Sequence, residues 1–166
     1  VEVTLPEINT KFDTVIREKG MSVRTKLYHS NNGDRVLNFM VSEYNEYLKL
    51  NEESITGFKA GISRSMRKQE LKCFFIDTVV NGQYCIKAIC FFDKISDPVL
   101  YQYGFPSGNK MYNIVYYMQK DVDIKKQESD LRRILSGISF KNPLLPLPLN
   151  AFDENSSAFK KGEVIG

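Results

Sequence analysis

Residues 71–94, LKCFFIDTVVNGQYCIKAICFFDK, decide the fold. Two β-prone runs flank Asn81-Gly82, and Asn-Gly at that place favours a two-residue type I′ turn whose twist matches that of the strands it joins. With Val80 opposite Gln83, the register counts back through Thr78 and Cys85 to Cys73 and Cys90. That last pair lacks mutual backbone hydrogen bonds, so its side chains lie close. Both runs are apolar at successive positions, which places the hairpin centrally with both faces covered. Asp77 interrupts this apolar run. On a covered face a carboxylate needs a partner or has its pKa raised, and an ion pair or an exposed strand end is the preferred reading over a general acid.

Working upstream, the pattern over residues 51–69, NEESITGFKAGISRSMRKQ, brings Ile55, Phe58, Ile62 and Met66 back at three- and four-residue steps. This predicts a helix on the sheet, with Asn51 or Ser54 as its cap. Gly57 and Gly61 each cost about 1 kcal/mol in such a helix relative to Ala, and a tight helix–sheet contact is the expected compensation. Residues 22–30 and 35–44 flank the turn-forming NNGD and predict an earlier hairpin. Before it, VEVTLPE reads as a short strand stopped by Pro6. Phe12, Val15 and Ile16 then fit a short helix ending at Gly20.

Downstream, SDPVLYQYGFPSGNK is rich in turn formers and reads as a loop, MYNIVYYMQ as a strand, and DIKKQESDLRRILSGISF as a helix with Leu131, Ile134, Leu135 and Ile138 facing the core. The whole is an α+β domain over residues 1–141, a mostly antiparallel sheet of about five to six strands with helices packed on its faces. Residues 142–166 alternate Leu with Pro before turning polar, which predicts an extended C-terminal tail. At 166 residues, 42% hydrophobic and 26% charged, the chain has the composition of one globular domain.

Several chemistries are unsupported. The net charge of +3 is spread along the chain. The clusters Arg64, Arg67, Lys68 and Lys125, Lys126, Arg132, Arg133 read as solvated helix faces, so nucleic acid is not an expected partner. No apolar run approaches the roughly 18 residues needed to cross a bilayer. A start at Val1 fits removal of an export signal, which makes a periplasmic or extracellular location the expectation and a cytoplasmic one the alternative.

One histidine and three dispersed cysteines make no zinc set, and the phosphate-loop, dinucleotide, nucleophile-elbow and zinc-helix motifs are missing, so no metal, cofactor or catalytic residue is expected. Cys73 and Cys90 are either a cross-strand disulfide in an oxidising compartment or two reduced core thiols. Reduced thiols are preferred because such bridges are geometrically demanding, and Cys85 is unpaired in both cases. The candidate binding residues are Tyr101, Tyr103 and Phe105 in the expected loop, with Tyr112 and Tyr116 on the next strand. Rigid rings with polar tips suit interfaces, although strand tyrosines also follow β-propensity.

The order hairpin, helix, central hairpin, strand and closing helix resembles the PsbP-like family, which includes DcrB-type bacterial lipoproteins. Asp130, Ile134, Leu135, Ser139 and Phe140 match the closing-helix pattern of that family, and the likeness covers about residues 20–141. It implies a non-enzymatic accessory or binding protein, often exported in bacteria, that engages a protein or peptide partner. Two other readings are a toxin-neutralising immunity protein, and a small hydrolase or transferase in which His29, Asp77 or a thiol meet in one pocket.

Overall fold

The Asn-Gly turn forms as expected: Asn81 and Gly82 both adopt positive φ (50° and 78°), and they join β5 (Leu71–Val80) to β6 (Gln83–Phe92) in the predicted register. A computed structural model describes residues 1–18 and 21–143. The hairpin is not central as expected, since β5 is an edge strand with Phe74, Ile76 and Val79 exposed; the other strands are β1 (Glu2–Val3), β2 (Thr10–Glu18), β3 (Met21–Asn31), β4 (Val36–Tyr44), β7 (Leu100–Ser107), β8 (Lys110–Tyr117) and β9 (Ile138–Ser139). Two helices, α1 (Glu52–Arg67) and α2 (Ile124–Ser136), complete the α+β fold.

The main sheet has seven strands in the order β2-β3-β4-β8-β7-β6-β5, every neighbouring pair antiparallel, and β1 with β9 forms a separate two-stranded sheet. In the main sheet, β4 with β8 is the one pair that is not consecutive in sequence; α1 and the hairpins between them make up the crossover. Among the described residues no helix is long and apolar enough to cross a membrane.

The sheet is larger than the sequence suggests for two reasons. Residues 10–18, read as a short helix, are strand β2. Thr10, Phe12, Thr14 and Ile16 alternate on one face, and pairing with β3 from Thr10–His29 to Glu18–Met21 overrides the three-residue spacing of Phe12 and Val15. The expected loop holding Tyr101, Tyr103 and Phe105 is strand β7, which turns through Gly108 (φ 61°) into β8. Its turn-like Gly104 and Pro106 have strand roles. A Cβ on Gly104 would stand 3.2 Å from Asn113 Oδ1, and Pro106 lies just past the last β6–β7 ladder pair, Ile86 with Gly104.

Helix α2 lays Leu131, Ile134 and Leu135 on Leu37, Phe105, Ile114 and Tyr116 of one sheet face. On the other face α1, capped by Asn51 Oδ1 accepting from the Ser54 amide, covers β5 to β7: Ile55 meets Tyr84 and Ile86, and Met66 meets Leu71, Ala88 and Cys90. Neither helix reaches over β2 and β3.

Cys73 and Cys90 are bonded as a disulfide, against the preference for reduced thiols; their Cα atoms are 4.1 Å apart, the short spacing of a pair without mutual backbone hydrogen bonds. The sequence separation of 17 corresponds to a constraint of about 3 kcal/mol on the unfolded chain. Changing both residues to Ala is expected to lower stability by about 2–3 kcal/mol. Thermal unfolding of this variant beside the oxidised and reduced parent checks it, and unchanged midpoints would show that the bridge constrains nothing. The expected tail begins at 142, and its residues 144–166 lie outside the described residues.

Candidate protein-binding face

The residues expected to floor a binding groove are core residues. Tyr101, Tyr103, Phe105 and Tyr116 point beneath α2 and are buried, and Tyr112 is half-buried against Phe39 and Phe140. Tyr101 donates its hydroxyl proton to Glu128 (3.1 Å) and Tyr116 to Asp130 (3.2 Å), while Lys87 lies over the Tyr101 and Tyr103 rings at 5.3 and 5.6 Å. Burial first, with the acceptor carboxylates adding to it for Tyr101 and Tyr116, pushes these three phenols up to about 12. They are neutral packing residues, and the tips of Tyr101 and Tyr116 have carboxylate acceptors.

The groups of a hydrolytic site are dispersed. His29 on β3 bonds through Nδ1 to Asn38 Oδ1 at 2.7 Å, whereas Asp77 on β5 holds Lys59 at 2.6 Å and accepts from the Tyr84 hydroxyl at 2.7 Å. Asp77 thus has the ion pair expected for a carboxylate in an apolar strand. β3 and β5 are five strand spacings apart, about 24 Å. Cys85 is fully buried; burial drives its thiol well above the ordinary range, the opposite of what a nucleophile needs.

A different face stands open. Residues paired across strands share a face, so Phe12, Leu27, Met40 and Asn113 form one row and Ile16, Val23 and Tyr44 another, on the side of the sheet that α1 leaves bare. Phe12 is 54% and Ile16 60% exposed. The alternate positions of β2 and β3, including Lys11, Asp13, Arg24 and Lys26, put the charges on the opposite face, where Arg24 and Asp13 pair at 2.6 Å. Period-two alternation along β3 has therefore produced a face of mixed apolar and neutral polar groups that carries no charge among the described side chains and has no helix on it.

On β3, β4, β8 and β7 several polar groups of this face bond to each other. Thr25 and Ser42 hydroxyls are 3.1 Å apart, His29 pairs with Asn38, Asn38 Nδ2 donates weakly to Tyr117 Oη (3.4 Å), and Gln102 Nε2 donates to Asn113 Oδ1 (3.1 Å). Covering such a face strands few donors or acceptors, so the desolvation cost is low.

Its border with α1 is a groove of about 220 Å³ walled by Gly57, Phe58, Gly61 and Ile62 above Met111 and Asn113. The glycines do not make the tight internal contact expected of them: a Cβ added to either meets nothing within 4 Å. They leave the groove wide. Period-two charge segregation along β3, visible as Arg24 and Lys26 between Val23, Thr25 and Leu27, is the signal that points to this face. The chain matches no family model, no curated protein and no solved structure.

Proposed function

We propose that the chain is a non-catalytic accessory or binding domain, PsbP-like in kind, that holds an amphipathic helix of a protein partner on the bare half of its sheet. The observation that carries this reading is a face that, among the described side chains, bears no charge, exposes the large apolar groups Phe12 and Ile16, and has Thr25, His29, Asn38 and Ser42 already hydrogen-bonded. The dimensions support it. Strands lie about 4.8 Å apart, so β2, β3, β4 and β8 span about 14 Å, the room one helix about 10 Å across needs beside α1. A helix there would complete a two-helix layer, with Gly57 and Gly61 admitting close approach. The disulfide supports a periplasmic or extracellular setting, since such bonds persist where thiols are oxidised.

Titration with synthetic amphipathic helices of about 14–18 residues, followed by amide shifts, tests this. Perturbations are expected at Phe12, Leu27, Met40 and the Gly57–Gly61 flank. Phe12→Asp with Ile16→Asp should abolish them while changing stability by less than about 1 kcal/mol, because both side chains are exposed. Gly57→Leu with Gly61→Leu should also block binding, yet leave the fold at least as stable, because helix interiors disfavour Gly by about 1 kcal/mol. Shifts confined to the α2 side, or binding unchanged in both variants, would refute the reading.

A further inference from the structure

β5 is an edge of the sheet, and among the described residues nothing pairs with its outer side. In a two-residue hairpin the residues closing the turn bond to each other, so Val80 and every second residue before it point their backbone groups at β6. Leu71, Cys73, Phe75, Asp77 and Val79 therefore point theirs outward. The 4.1 Å Cα spacing of Cys73 and Cys90 agrees with this alternation. Natural sheets blunt such edges with lysines, prolines or bulges. From Cys73 to Val80 there is no lysine or proline, and the pairing with β6 runs without a bulge. The edge exposes Phe74 (67%), Ile76 (47%) and Val79 (44%) instead.

We propose that β5 is a homodimerisation edge, pairing antiparallel with β5 of a second copy about a twofold axis at Phe75. This register sets Phe75 against Phe75, Cys73 against Asp77 and Leu71 against Val79 of the second copy, so the outward-facing backbone groups of both strands meet in one ladder. Phe74 and Ile76 then stand opposite each other on both sides of the axis. They form pairs without mutual backbone hydrogen bonds, where side chains approach most closely. Phe91 backs each Phe74 ring edge-on at 5.8 Å.

The charges fit the same register. On the α1 side, Arg67 and Glu70 stand over a cleft of about 690 Å³ floored by Leu71 and Cys73. Arg67 has no ion-pair partner among the described residues. Asp77, held by Lys59 and Tyr84, is still 32% exposed. Because Cys73 lies opposite Asp77 of the second copy, that carboxylate enters the cleft beside Arg67, and the twofold repeats the contact. Lys72 meets Thr78, so no like charges oppose each other along the ladder. An axis at Ile76 would set Phe74 against Thr78 and move Asp77 away from Arg67, and an axis at Asp77 would oppose two carboxylates. The axis is perpendicular to the sheet, so both α1 helices and both bare faces lie on one side of the joined sheet, which presents two helix-binding faces of the kind proposed above. An edge contact of this length falls below about 1,200 Å² in all, the size of a weak interface, and dissociation is in the micromolar range or above.

Sedimentation equilibrium of the full-length protein from about 1 μM to about 1 mM should show a monomer–dimer equilibrium. Over the same range the amides of Phe75, Asp77 and Val79 should gain protection from hydrogen exchange as concentration rises, while Ile86 and Ala88 in β6 stay protected throughout as the folding reference. Phe74→Lys changes an exposed side chain and should abolish the dimer with the β6 amides unaltered. Arg67→Asp should weaken association about tenfold by turning the cross-copy attraction into repulsion. Phe12→Asp, at the opposite edge strand, should leave it unchanged. A parent protein that is monomeric at all concentrations, or full protection of β5 already at the lowest one, would overturn the proposal. A dimer that survives Phe74→Lys, ignores Arg67→Asp or is lost in Phe12→Asp would do the same.

Discussion

Replacing Asp130 by Ala is expected to lower the unfolding free energy by about 3–5 kcal/mol, because it leaves a buried guanidinium without its counter-charge. Asp130 on α2 receives Arg35 Nη1 at 3.3 Å on each oxygen, Arg133 Nη2 at 2.5 Å and the Tyr116 hydroxyl at 3.2 Å. The Arg35 side chain is only 11% exposed, and it precedes β4, so this pair ties the last helix to the β3–β4 turn. Arg133 is mostly exposed, and Arg133→Ala should cost less than about 1 kcal/mol. Arg35→Met with Asp130→Leu, which removes both charges, should recover most of the loss.

The same carboxylate sets a pH dependence. Burial pushes its pKa up, but hydrogen bonds from Arg133 and Arg35, the Arg35 charge and the Tyr116 hydroxyl outweigh burial and hold it below the usual aspartate range. A folded-state pKa below the unfolded one gives stability that is fully present above about pH 4 and is lost as pH falls through the lower folded value. Urea midpoints measured from neutral to acid pH should therefore be flat for this contribution until about pH 4 and then fall. Asp130→Asn should lack that portion of the fall, and an identical acid profile in the two proteins would contradict the assignment.

Phe105→Ala is expected to cost about 3–5 kcal/mol, the usual range for emptying a core aromatic site. Its ring is completely buried, meets Phe140 at 5.6 Å between centroids and lies under α2. Chemical denaturation should show a lower midpoint with an unchanged slope. Phe12→Ala is the instructive contrast: the same change at an exposed face should alter stability by less than about 1 kcal/mol while weakening the proposed helix capture. If the two substitutions destabilised alike, the division between core and binding face would be wrong.

What could be read from the sequence follows from where burial imposes a pattern. The β5–β6 hairpin was legible because Asn81-Gly82 fixes both turn and register, and α1 and α2 were legible because each buries one stripe. β2 was not, since Phe12, Val15 and Ile16 are all exposed and no covering layer has imposed strict alternation on it. β7 was hidden by Gly104 and Pro106, whose strand roles depend on Asn113 and on where the β6 ladder stops. The candidate face failed for a related reason. Tyrosine content does not say which face a helix will cover, and α2 covers the side bearing Tyr101, Tyr103 and Tyr116.

The β4–β8 contact has a consequence for how the chain reaches this structure. On one side of it β2, β3 and β4 form a meander, and on the other β5 to β8 form a second; each is built from hairpins whose partners are near in sequence. Loop-closure entropy for such neighbours is small, so both meanders can assemble early and independently. Joining Val36–Tyr44 to Lys110–Tyr117 must instead close the whole intervening chain. That seam is the expected late step of folding. Until it forms, the first meander lacks α2, whose side chains bridge Leu37 and Phe39 of β4 to Tyr116 of β8, and both flanks of the seam are strand edges open to the wrong neighbour.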